Sequence, residues 1–166
     1  MTSKTPALPP LAPAHVAEIA FEVAIRATPH AVWQALTDDI GRWWPGPFYC
    51  GSGQGPRRFQ LEARPGGRMW EDHGNGDGLL WGTIVNVKNA ALLEIAGTGW
   101  GPATWLGRFE LTATATGTKL RFSESAFGRL DASTMQQKDK GWRFLFDGCL
   151  RAHLEGSKPP EWDGDC

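Results

Sequence analysis

A chain of 166 residues suits one domain, long enough to bury roughly two-thirds of its unfolded surface. Hydrophobic residues at 41% and charged residues at 21% exclude a disordered chain, and a net charge of −1 offers no basic face to nucleic acid or an anionic membrane. No apolar run approaches the ~20 residues of a membrane span, so membrane insertion is not expected.

Residues 1–13 are rich in Pro, Thr and Ala, with only Lys4 charged. They lack the basic start and apolar core of a signal peptide and read as a disordered tail on a cytoplasmic protein. From Val16 to Arg26, Ile19, Phe21, Val23 and Ile25 alternate with Glu18, Glu22 and Arg26, the period of a strand with one buried face. Thr28-Pro29 supplies a helix cap followed by proline at the first helical position. Val32, Trp33, Leu36 and Ile40 then recur at helical spacing, and this helix should end near Asp39 to Gly41. A short amphipathic segment, Ile40 to Trp44, is stopped by Pro45.

Pro45 to Pro56, rich in glycine and proline, reads as a loop. Strands are predicted over Arg57 to Ala63, Arg68 to His73, Leu79 to Val87, Leu92 to Ala96, Ala103 to Ala113 and Lys119 to Phe127. Turn residues separate them, among them Pro65-Gly66-Gly67, Gly74 to Gly78, Lys88-Asn89 and Thr116-Gly117. Connections this short imply an antiparallel meander. Gly82, inside a strand, predicts a bulge or the close approach of another backbone.

Beyond Gly128 the period changes. Asp131 or Ser133 can cap a helix running to about Leu154. Trp142, Leu145, Phe146, Cys149, Leu150, His153 and Leu154 form its apolar face, with Lys138, Lys140, Arg143, Asp147 and Arg151 mostly elsewhere. Residues 157–166 read as a flexible tail, leaving 14–156 as the single domain. A sheet of about seven strands needs its apolar face covered, and only the last helix is long enough. The expected fold class is therefore α+β, a curved antiparallel sheet wrapped around a long C-terminal helix, with two short helices after the first strand.

Nine tryptophans are the unusual feature, and they imply either a core of large side chains or an aromatic-lined cavity. Three cysteines (Cys50, Cys149 and Cys166) include no close pair, so neither disulfides nor a thiolate metal site is expected.

One series of motifs resembles a known family. It comprises Thr28-Pro29-x-x-Val32-Trp33-x-Ala35-Leu36-Thr37-Asp38, Arg42-Trp43-Trp44-Pro45, Glu62-x-Arg64-Pro65-Gly66-Gly67-Arg68-x-x-Glu71, Trp81-Gly82-Thr83-Ile84, Gly117-Thr118-x-Leu120, Phe127-Gly128 and Gly141-Trp142. In order and spacing it resembles the START-like helix-grip superfamily (SRPBCC), in the branch named after the activator of Hsp90 ATPase homologue. The resemblance covers about Val16 to Leu154 and implies a cavity between the concave sheet and the C-terminal helix.

Strand alternation nominates the lining of that cavity. Trp105, Gly107, Phe109 and Leu111 share one face, and Leu120, Phe122, Glu124 and Ala126 share the inward face of the next strand. Glu124 is a carboxylate among apolar neighbours, either a functional group or a strand-end residue that pairs with an arginine or reaches water. If Met69, Glu71 and His73 point inward, Glu71 and His73 join it, although His73, beside a glycine turn, reads more simply as a solvated hairpin residue. The candidate ligand-binding set is Trp44, Glu71, Trp105, Phe109, Phe122, Glu124, Trp142 and Phe146. Whether Trp44, Trp105 and Trp142 fill the space or line it separates a core from a pocket.

Other patterns fail. Gly51 to Gly55 lacks the strand-to-helix context of a phosphate loop, and Asp72 to Gly78 lacks the spacing of a calcium loop. No His, Cys and carboxylate spacing fits zinc, and no metal or cofactor is expected. The leading expectation is a non-catalytic module for a small hydrophobic or aromatic molecule. The resemblance implies two alternatives, a polyketide cyclase-like or related enzyme using Glu124 with Glu71 or His73 as general acid/base, and a protein-partner role such as co-chaperone action on Hsp90. Homodimer formation is left open.

Overall fold

The computed structural model describes residues 12–49, 57–98 and 103–163. Expectations for residues 1–11, Gly51 to Gly55, Cys50 and Cys166 fall outside that range. The alternating segment forms β1 (His15–Ile25), with Ile19, Phe21, Val23 and Ile25 buried. α1 (Pro29–Leu36) starts as expected, the Thr28 hydroxyl accepting from the Ala31 N–H at 3.3 Å. It ends at Leu36 rather than near Asp39, because the Thr37 hydroxyl donates to the Trp33 carbonyl (2.9 Å) and tightens the last turn. α2 (Ile40–Trp43) follows, then a single 3-10 turn over Gly46–Phe48.

The meander comprises β2 (Arg58–Leu61), β3 (Arg68–Gly74), β4 (Asp77–Lys88), β5 (Leu92–Gly97), β6 (Ala103–Thr114) and β7 (Gly117–Gly128). Together with β1 these make one seven-stranded sheet in the order β1-β7-β6-β5-β4-β3-β2, every neighbouring pair antiparallel. β1 and β2 are thus its two edges. On β1, Glu18 and Glu22 project from the solvent face, and Glu22 pairs with Lys119 at 3.2 Å. Gly66 sits at φ 74°, the positive angle that its hairpin turn requires.

Gly82 fulfils both expectations for it. The register of β3 against β4 shifts between Met69 and Trp70, opposite Gly82 and Leu80 respectively, so Trp81 is an extra residue on β4. A side chain at Gly82 would also begin 2.8 Å from the Ala96 carbonyl oxygen.

The C-terminal helix crosses the concave face in three parts. α3 (Ala132–Arg143) is capped by Asp131, whose Oδ1 accepts from the Thr134 N–H at 2.8 Å. A π-helical stretch, Phe144–Leu150, and then α4 (Arg151–Glu155) complete it. The wide turns depart from the uninterrupted α-helix expected, while Leu145, Phe146, Cys149 and Leu150 are buried as their place on the apolar face predicts. His153, expected on the apolar face, is exposed. Among the described residues no helix is long and apolar enough to cross a membrane.

Cys149 gives a check on the packing. Burial pushes its thiol up to about 11 from an ordinary value of 9.0. Because the thiolate is the nucleophile, iodoacetamide at pH 8 should label Cys149 ~100-fold faster in the unfolded chain than in the folded one. Equal site-resolved labelling rates, read by mass spectrometry with and without guanidinium, would contradict this burial.

Candidate functional site

The concave face is built by strand alternation. Trp105, Phe109 and Leu111 on β6 and Leu120, Phe122, Glu124 and Ala126 on β7 are all buried. Gly107 lies opposite Glu124 in the ladder, and a Cβ there would fall 2.6 Å from the Trp105 ring. The missing side chain lets the Trp105 indole lie along the sheet over Gly107.

Glu124 is 2% exposed. Its Oε1 accepts from Lys138 Nζ and its Oε2 from the Trp142 indole N–H at 2.5 Å. The reading in which it pairs with an arginine or reaches water is corrected, because the helix supplies a lysine instead. Lys138, assigned away from the apolar face, is itself only 2% exposed. It lies one helical turn before Trp142, so both donors reach the same carboxylate. Trp142 stacks on Phe146 (5.5 Å between centroids, 9° between planes) and touches Phe122 and Trp105 at 5.1 and 5.9 Å. Phe109 meets Phe146 edge-on at 5.1 Å.

A second carboxylate stands on the same face, on β3. Glu71 is completely buried, with Oε1 accepting from the Trp81 indole N–H at 2.8 Å and Oε2 lying 2.9 Å from His73 Nε2. His73 is therefore not the solvated hairpin residue its neighbouring glycine implied: its side chain is 10% exposed and faces inward with Met69 and Glu71. The bulge at Trp81 turns that indole toward the carboxylate. Around it, Trp44 stacks on Phe59 at 3.7 Å, and Trp81 meets both rings edge-on at 5.5 and 5.4 Å. Tyr49 borders the same group, its phenol raised by burial against a lowering hydrogen bond to the Phe59 backbone.

Trp81 and Trp142 touch at 6.4 Å, so the two stations join into one interior series running His73, Glu71, Trp81, Trp142, Glu124, Lys138. Each carboxylate holds an indole donor and a group that can carry positive charge. Such an arrangement can orient a polar ligand atom, or hold and pass a proton, in a low-dielectric setting.

All eight nominated residues face this interior. Trp105, Phe122 and Phe146 pack on Trp142, the donor to Glu124, and Phe109 meets Phe122 and Phe146, while Trp44 belongs with the rings around Glu71. The rings named touch one another in series, so Trp44, Trp105 and Trp142 pack rather than stand apart. Lys138 and Trp81 were missed. Lys138 lies one turn before Trp142 but is drawn inside only by Glu124 on β7, and the bulge that turns Trp81 inward has no clear mark beyond Gly82. No group of three or more His, Cys, Asp or Glu able to hold a metal ion occurs among the described residues.

No curated protein matches the chain. Solved structures of similar fold include an uncharacterised protein from Rhizobium leguminosarum, 21% identical over 87% of this chain and 98% of that one, with a TM-score of 0.67. A protein from Mesorhizobium loti is 21% identical over 86% and 99% of the two chains, with a TM-score of 0.64. A protein of the dynemicin biosynthetic locus is 25% identical over 88% of this chain and 50% of that one, also with a TM-score of 0.64. Residues 26–155, which hold both carboxylate stations, match the family described as Activator of Hsp90 ATPase homolog 1-like protein, and the chain belongs to that family.

Proposed function

We propose that the protein binds one small, largely apolar or aromatic molecule between the concave sheet and the C-terminal helix, the ligand displacing one of the rings that fill this space and its polar end meeting Glu71–His73 or Glu124–Lys138. The observation that carries this reading is the pair of solvent-free carboxylates in an aromatic interior. Folding alone has little use for them, since a buried ion pair is commonly no more stabilising than apolar residues of the same volume. A few fixed polar groups within an apolar wall are what ligand recognition needs.

Titration with a library of aromatic metabolites and lipids tests it, read by tryptophan fluorescence and thermal midpoint. A ligand at 100 times its Kd should add about 2.7 kcal/mol, raising the midpoint of a chain this size by roughly 5–10 °C. A library in which no compound shifts the midpoint or is retained in dialysis overturns the reading.

One contact favours a catalytic variant of the same site. A histidine held 2.9 Å from a buried carboxylate is the arrangement of a general base with its orienting group, and the likeness to a protein of a biosynthetic locus is compatible with it. Incubation of an identified ligand with the protein, followed by mass analysis, separates the two: a His73-dependent change in the ligand means turnover, and recovery of the ligand unchanged means binding alone.

A further inference from the structure

We infer that the segment 157–163 is a latch controlling entry to the Glu71 end of the interior, an inference that rests on the ligand-binding reading above. The chain turns back at Gly156, where the Ser157 N–H donates to the Ala152 carbonyl at 2.9 Å. It then runs beside the C-terminal helix without helix or strand of its own. Pro160 covers Gly148 of the π-helical stretch, its Cγ 2.8 Å from where a Cβ would lie. Trp162 is the anchor: its ring stands edge-on to Phe48 and to Phe144, both at 4.8 Å, and those two rings stack on each other at 5.5 Å. Lys140 lies 5.2 Å over the same indole and pairs with Asp163 at 3.0 Å.

The remainder of the segment is exposed, so one ring does most of the holding. The hold is also incomplete. The Trp162 indole N–H is buried with no hydrogen-bond partner among the described residues, a cost that release into water removes. An anchor of large apolar contact and one unsatisfied donor suits reversible attachment.

What the anchor holds leads directly to the carboxylate. The Phe48 carbonyl accepts from the Trp44 indole N–H at 3.3 Å, and Trp44 stacks on Phe59 and abuts Trp81, the donor to Glu71. With the interior rings packed in series, a ligand must displace one of them to reach Glu71. Of the three rings Trp44, Phe59 and Trp81, Phe59 and Trp81 are held in strands, whereas Trp44 sits at the end of a four-residue helix beside a single 3-10 turn. Releasing Trp162 removes one of the ring contacts on Phe48 and loosens the turn that carries Phe48 and Trp44.

The test compares the full chain with Trp162→Ala, Trp162→Phe and a chain ending at Gly156, using 1-anilinonaphthalene-8-sulfonate as probe. In Trp162→Ala and the shortened chain, amide exchange at Phe48 and Tyr49 should accelerate about tenfold or more, and the probe's association rate should rise comparably. Exchange in β6 and β7 should stay unchanged, which separates local release from global destabilisation, and Trp162→Phe should restore most of the protection. Unchanged exchange at Phe48 and Tyr49, or unchanged probe kinetics despite faster exchange, overturns the latch while leaving ligand binding intact. If no form takes up either the probe or any library compound, the ligand-binding reading falls, and the latch falls with it.

Discussion

Replacing Lys138 by methionine should destabilise the protein by about 3–5 kcal/mol, because it strands the Glu124 carboxylate in the interior with the Trp142 indole as its remaining bonded donor. Both members of the pair are shielded, at 2% exposure each, so the attraction is not screened as it would be at the surface. Glu124→Leu alone should cost a similar amount, since it leaves a buried ammonium. The double variant, Glu124→Leu with Lys138→Met, removes both charges and should recover most of the loss, less about 1–3 kcal/mol for the Trp142 indole bond to Glu124. Urea midpoints of the four proteins form a double-mutant cycle. Additive single losses would mean that the two groups do not interact. A double variant that folds normally but no longer binds ligand would place the pair's purpose in function rather than in stability.

The second large effect concerns Trp142. Its ring is 1% exposed and touches Trp81, Trp105, Phe122 and Phe146, while its N–H serves Glu124. Trp142→Ala should cost about 3–5 kcal/mol for the lost burial and the cavity left behind. Losing a donor to a charged acceptor adds about 1–3 kcal/mol. Trp142→Phe keeps most of the ring contacts and should show only that second part. At about 2–4 °C per kcal/mol, calorimetry resolves the two variants easily. Equal midpoints for Trp142→Phe and the parent protein would mean that the indole bond contributes nothing to stability.

Much of this interior was legible in strand period. Alternation on β6 and β7 put Trp105, Phe109, Phe122 and Glu124 on one face, and the structure buries all four. The caps at Thr28 and Asp131 were readable because capping is a local matter of one side chain and a nearby N–H. What stayed hidden depends on distant partners. A lysine in a helix is assigned to solvent by default, and only the carboxylate beneath it brings Lys138 inside. His73 beside a glycine turn looks solvated until Glu71 is seen to face the same way. The inward turn of Trp81 follows from one extra residue in β4, which shifts the alternation that sequence reading relies on. The anchoring of Trp162 arises from the chain folding back on Phe48 and Phe144, a contact between segments more than a hundred residues apart for Phe48.

The edge strand β1 carries a different consequence. Two copies pairing antiparallel through this edge, centred on Ala20, would set Glu18 of each against Glu22 of the other. Like charges directly opposed across a ladder repel, and charged edge residues are a known guard against sheet-to-sheet joining. Lys119, 3.2 Å from Glu22, offsets part of that charge and leaves Glu18 the less compensated member of each opposed pair. In that register the charged outer face of β1 works against edge-to-edge joining of two sheets.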